Sequence, residues 1–147
     1  MNASRKVPLG ACDYCIFSLH RVWERRSGGG NFPYMVLDVD GLPSPDDVRA
    51  ALTRAFRAHP VVMGRVRVSP LRFRPFWETP ANPDNAAVQA AAEAHVFDDL
   101  RHCADAAARL TEHCQSRYFG QWYRPSGPQV RLEQYALPGE RTRIVLR

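Results

Sequence analysis

Four cysteines and five histidines are the side chains best suited to metal binding or nucleophilic chemistry, and their spacing argues against both roles. Cys12 and Cys15 form a C-x-x-C pair. A structural zinc site would need a second ligand pair of similar local spacing. Cys103 and Cys114 lie eleven residues apart in a segment of helical pattern, about three turns from each other. A redox C-x-x-C would sit between a buried strand and a helix, and the segment before Cys12 is too short to bury such a strand. The expectation is four reduced thiols, packed as small apolar groups, and no bound metal. His102 and His113 have the same wide spacing, where a metal pair on one helix face prefers four residues. Both read as surface or helix-edge residues. His59 stands before Pro60 and reads as a helix ending.

The elements that would position these groups are organised around Ser44 to Val68. Ser44 suits a helix N-cap, Pro45 the first helical position and Asp47 the capping-box acid. Asp46 and Asp47 both lie in the first turn, where the helix dipole favours negative charge. Val48, Ala51, Leu52, Ala55 and Phe56 form one apolar face, with Arg49, Arg54 and Arg57 opposite. The spacing predicts a helix over Pro45–Ala58. A strand over Val61–Val68 follows, rich in valine.

Further strands are predicted over Tyr34–Asp40, Leu71–Thr79, Gln129–Leu137 and Thr142–Leu146, the last two joined as a hairpin by Pro138-Gly139. Pro75 makes an edge or a bulge there. Met1 to Lys6 reads as a loose tail and Ser27 to Asn31 as a glycine-rich loop. No Gly-Lys-Ser/Thr follows that loop, so it is not a phosphate loop. Ala86 to Ala94 is alanine-rich and can be helical. A long helix is predicted over Asp98–Phe119, its buried stripe made by Leu100, Cys103, Ala107, Leu110, Cys114 and Tyr118. Leu37, Val39, Val48, Leu52, Phe56 and Val62 are the expected core of the first unit. Trp77, Trp122 and Tyr123 are expected as core or interface anchors. The fold class is α+β: a mixed sheet with the helices Pro45–Ala58 and Asp98–Phe119 packed on one face.

The chain has 147 residues and a net charge of +5, enough length for one domain with a core. Lys6 is the only lysine; every other basic residue is arginine. The arginines are spread along the chain rather than clustered, and no nucleic-acid partner is expected. No run is long enough to span a membrane, and the start lacks the apolar core of a signal peptide. A cytoplasmic location is the expectation.

The order of elements carries a resemblance. It starts with Pro8-Leu9-Gly10-Ala11-Cys12-Asp13. The helix D-x-x-x-x-A-L-x-x-A-x-x-x-H-P-V, ending at His59-Pro60-Val61, follows. Gly127-Pro128-Gln129-Val130-Arg131 then leads into the hairpin up to Leu146. Together these resemble the N-terminal part of the chloramphenicol-acetyltransferase-like acyltransferases, which include condensation domains, wax ester synthases and polyketide-associated acyltransferases. The family motif H-H-x-x-x-D-G follows the strand that resembles Thr142 to Arg147. Arg101-His102-Cys103-Ala104-Asp105 has the wrong spacing for it and lacks the glycine. The resemblance therefore implies that residues 1–147 are an N-terminal lobe ending just before that motif, with no catalytic residue of its own. It implies no bound cofactor, and an acyl-CoA or acyl carrier protein thioester as cosubstrate of the complete enzyme. It also implies a partner: a C-terminal lobe, or self-association through the surface that lobe would cover. Asp13 has two open readings, as a residue lining the acceptor channel or as a cap for the segment after it. A small binding or dimerisation module and a basic RNA-binding domain are the alternatives to an acyltransferase fragment.

Overall fold

Ser44 starts the best-defined helix as its sequence requires. In the computed structural model, its Oγ accepts the Asp47 N–H at 3.1 Å and donates to the Asp47 carboxylate at 2.7 Å. The helix, α2, spans Pro45–Ala58. His59 ends it, its N–H donating to the Ala55 carbonyl. A single 3-10 turn, Pro60–Met63, then leads into a strand, Arg65–Val68. Pro60 favours that turn, so the strand starts later than the valines predict.

The structure describes residues 4–27, 35–69, 74–118 and 128–147. In chain order the strands are β1 (Ser4–Pro8), β2 (Met35–Asp40), β3 (Arg65–Val68), β4 (Pro75–Pro80), β5 (His95–Asp99), β6 (Leu132–Leu137) and β7 (Arg141–Leu146). The remaining helices are α1 (Ala11–Ser27), α3 (Pro83–Ala94) and α4 (Ala106–Tyr118). The α+β class holds, but the strands divide between two sheets. One has the order β1-β4-β3, the other β2-β7-β6-β5. The second is mixed, because β5 runs parallel to β6 and every other pair is antiparallel.

Several expectations need correction. Residues 4–6 are not a loose tail: β1 pairs with β4 over Ser4–Pro8. Its partner strand begins at Pro75, which fits a proline at a strand's first position. The stretch before it, 70–73, lies outside the described residues, as do residues 28–31 of the expected glycine loop and Trp122 and Tyr123. The long helix does not start at Asp98. Asp98 and Asp99 belong to β5, Leu100 to Asp105 form a connection, and α4 begins at Ala106. Asp99 accepts the Arg101 backbone N–H at 3.1 Å and the Arg101 guanidinium at 2.5 Å. That local closure turns the chain where helical spacing alone would continue it. Ala107 is consequently exposed, while Leu100 and Leu110 are buried.

The two helices do not share one face of the sheet. Residues alternate across β6. Leu132 packs against the cluster of Leu52, Phe56, Ala87, Ala91 and Ala94 from α2 and α3. Tyr135 packs with Leu100 and Leu110 on the α4 side. The sheet is thus covered on both faces. The alanine-rich α3 succeeds through small side chains: its Asn82 caps it and its alanines let α2 approach closely.

β2 is a further correction. It forms where expected, but all its residues are exposed, including Leu37 at 47% and Val39 at 38%. Among the described residues it is an edge strand, with β7 as its one lateral neighbour. Two substitutions separate the real core from the expected one. Leu52→Ala should cost about 2–5 kcal/mol in urea unfolding, the usual cost of a buried leucine. Leu37→Ala should cost no more than about 0.5 kcal/mol, as surface positions do. A larger loss at Leu37 in the isolated chain would refute this assignment.

Candidate functional site at the open side of the sheet

The described histidines stand apart from one another. His59 is an exposed helix cap. His102 is exposed in the β5–α4 connection. His113 is half-buried, its Nδ1 3.5 Å from Asp98 and its ring tilted against Tyr135 with centroids 6.1 Å apart. Cys12 and Cys15 are exposed and Cys103 is half-buried; each is a free thiol. Among the described residues no group of His, Cys, Asp and Glu could hold a metal ion.

Asp13 lies in the first turn of α1. Its Oδ2 accepts the Gly10 backbone N–H at 3.2 Å and the Trp77 indole N–H at 3.4 Å. These bonds satisfy a donor at the helix start and tie α1 to β4. Trp77 is half-buried and serves as that anchor.

The chemistry missed by sequence reading lies inside β6. Glu133 is 2% exposed and Gln134 1%. Gln134 donates to the Pro43 carbonyl at 2.7 Å, and its Oε1 lies 3.0 Å from His95 Nε2. Because that oxygen can only accept, His95 carries its proton on Nε2. Burial pushes the His95 pKa below its usual 6.5, and the nearby Arg49 adds to this, against the opposing Gln134 bond. On the other face, Glu133 accepts from the Tyr135 hydroxyl at 2.8 Å and pairs with Arg147 and, at 3.3 Å, with Arg131. Arg131 and Arg147 also exchange both backbone hydrogen bonds. The end of β7 is therefore clamped by charge and by backbone. The alternation of β6 was legible, but the ion pairing of Glu133 needs residues from both hairpin arms.

The opposite side of the sheet is open. Met35 and Val36 on β2 are 54% and 53% exposed. Asp38 sits beside them, paired with Arg143 at 2.6 Å, and that bond holds its carboxyl below the usual range. A cavity of about 500 Å³ lies between this strand and α4, walled by Leu110 and Leu137. On α1, Tyr14, Ile16, Leu19 and Val22 are also exposed. No helix among the described residues is long and apolar enough to cross a membrane.

His95 gives this arrangement a pH signature. Its folded pKa is depressed, so the unfolded chain takes up the proton first as the pH falls. The stability it contributes is whole above about pH 6.5 and drains as the pH drops toward the folded pKa. The melting temperature should fall between roughly pH 7.5 and 5.5, and His95→Gln should flatten that slope although it lowers stability throughout. An unchanged slope in the variant would contradict the burial of a neutral imidazole.

No family model matches the chain, and no curated protein matches it. Solved structures do. The first condensation domain of the calcium-dependent antibiotic synthetase matches with a TM-score of 0.72 at 14% identity, over 99% of this chain and 34% of that one. The condensation domain of the Monacolin K polyketide synthase MokA gives 0.67 at 12%, over 99% and 30%. The tallysomycin biosynthesis protein TlmII gives 0.62 at 22%, over 87% and 29%. The chain spans about a third of the length of these proteins and has the fold of one lobe of a condensation domain.

Proposed function

We propose that this chain is the N-terminal lobe of a condensation-type acyltransferase, which moves an acyl group from a thioester to an alcohol or amine once a second lobe is in place. The observation that carries the reading is β2. Its apolar Met35, Val36 and Leu37 are exposed on both faces of the strand, and its outer edge has no partner among the described residues. Independently stable domains protect such an edge with charge, proline or a covering element. Here both the strand and the apolar stripe of α1 await a covering surface.

The clamped end of β7 supports the same reading. Glu133, Arg131 and Arg147 fix the strand end from which a catalytic motif would continue in the family that the sequence resembles. A rigid base for a catalytic loop is what precise positioning of a general base needs. The second lobe would supply that base and close the substrate channel. A second copy of the chain is the competing occupant of β2, since edge strands pair with one another when nothing else covers them.

The test is an acyl-transfer assay with a panel of acyl thioesters and alcohol or amine acceptors. The chain alone should give no turnover above the buffer rate. A C-terminal lobe of the same fold, added in trans, should raise the rate by about two powers of ten or more, the range that general acid–base catalysis supplies. Turnover by the isolated chain that is lost in His59→Ala, His102→Ala or His113→Ala would overturn the proposal. A stable dimer in dilute solution, with no response to the added lobe, would favour the self-associating module instead.

A further inference from the structure

Two exposed thiols share one turn of α1. Cys12 and Cys15 are both exposed and both free, where the sequence predicts small groups packed inside. Asp13, between them, takes the inner face of the turn through Gly10 and Trp77, and this leaves both thiols pointing outward. A strand also precedes them. β1 pairs with β4 over Ser4–Pro8, and α1 starts at Ala11. The pair therefore stands where a strand passes into a helix, the setting of a redox C-x-x-C, although β1 is itself mostly exposed.

Residues three or four apart on a helix are surface neighbours. Ile16 and Leu19, 59% and 46% exposed, follow Cys12 and Cys15 on the same face, so that face is bare. Helix geometry sets the two cysteine Cα atoms about 5 Å apart, within the roughly 4.4–6.8 Å that a disulfide bridges. Their Cβ atoms are about 5–6 Å apart, wider than the roughly 3.5–4.5 Å of a closed bond. Closure must therefore tighten the first turn of α1, and a bond that costs such distortion is easily reduced again. Cys103 is placed differently: it is half-buried against the cluster of Leu100, Leu110, Tyr135 and Val145.

We propose that Cys12 and Cys15 form a reversible dithiol–disulfide site on α1 that exchanges with a small-molecule disulfide such as oxidised glutathione. One cysteine thiolate attacks the small disulfide, which releases one small thiol and leaves a mixed disulfide on the protein. The second cysteine attacks the protein sulfur of that bond, and the second small thiol leaves. The chain loses two electrons and two protons, and the small disulfide gains them. The site is independent of the acyl-transfer reading. A lobe docked over this face would shield both thiols, so the exchange is a property of the uncovered chain.

The test is to equilibrate the chain in buffers of graded reduced and oxidised glutathione, block the remaining thiols and weigh the tryptic fragments. The fragment 7–21 holds Cys12 and Cys15 and no other cysteine. It should lose two hydrogens as oxidised glutathione rises and regain them as reduced glutathione rises, with no glutathione adduct building up. Cys12→Ser and Cys15→Ser, surface changes that should leave the melting curve unmoved, should each carry one glutathione adduct instead. In urea that unfolds the chain the helix no longer resists closure. The disulfide should then be favoured by about tenfold or more over the folded chain at the same glutathione ratio. Adducts on both cysteines without closure, or two free thiols throughout, would overturn the site. Equal closure in the folded and unfolded chain would overturn it too, because the helix would then play no part in the exchange.

Discussion

β6 lies inside the larger sheet, with β5 on one side and β7 on the other. Glu133, Gln134, Tyr135 and Ala136 are all buried, so both faces of this strand are interior. A polar side chain placed there costs free energy unless it is fully paired. Gln134 meets the requirement on one face by bridging His95 and the carbonyl of Pro43, immediately before the α2 cap. Glu133 meets it on the other through Tyr135, Arg131 and Arg147. The Gln134 bond to Pro43 ties the start of α2 to one face of the sheet. The polar pairs also hold β5 and β7 in register, since each pair reaches across strands. Removing one partner would leave a buried donor or acceptor unsatisfied, which is costlier than never having had the pair.

The sheet's two sides differ in how completely they are built. On the β5 side, α2 and α3 close over Leu132 with leucine, phenylalanine and alanine. On the β2 side, apolar residues lie bare on both faces and the hydrogen-bonding edge is open. An isolated sheet finishes its core before it exposes a strand of this composition. The asymmetry makes sense for one lobe of a larger body, as do the solved structures that contain this fold within about three times its length.

Much of this was legible in the sequence where the determinants are local. Ser44, Pro45 and Asp47 define the start of α2, and His59-Pro60 defines its end, so its boundaries match residue for residue. The Pro138-Gly139 hairpin is likewise local, and Gly139 supplies the positive φ that the turn needs. What failed depends on distant partners. β1 is a strand only because β4, some seventy residues away, accepts it. Asp98 and Asp99 look like a helix start, yet β6 recruits them as a parallel strand and Asp99 folds onto Arg101. Leu37 and Val39 alternate as core residues do, because alternation reports a face meant for burial without naming what buries it. Glu133 gives no signal of its own in the sequence, since Arg131 and Arg147 meet it only once the hairpin closes.

Native-state hydrogen exchange on the dilute, monomeric chain tests the central claim most directly. Amides of β6, paired on both sides within a buried strand, should exchange only through near-global unfolding. In β2, amides that face the open edge should exchange fast, and a C-terminal lobe added in trans should slow them selectively. Protection of the whole of β2 equal to that of β6 in the isolated chain would contradict the account, because the strand would then need no partner.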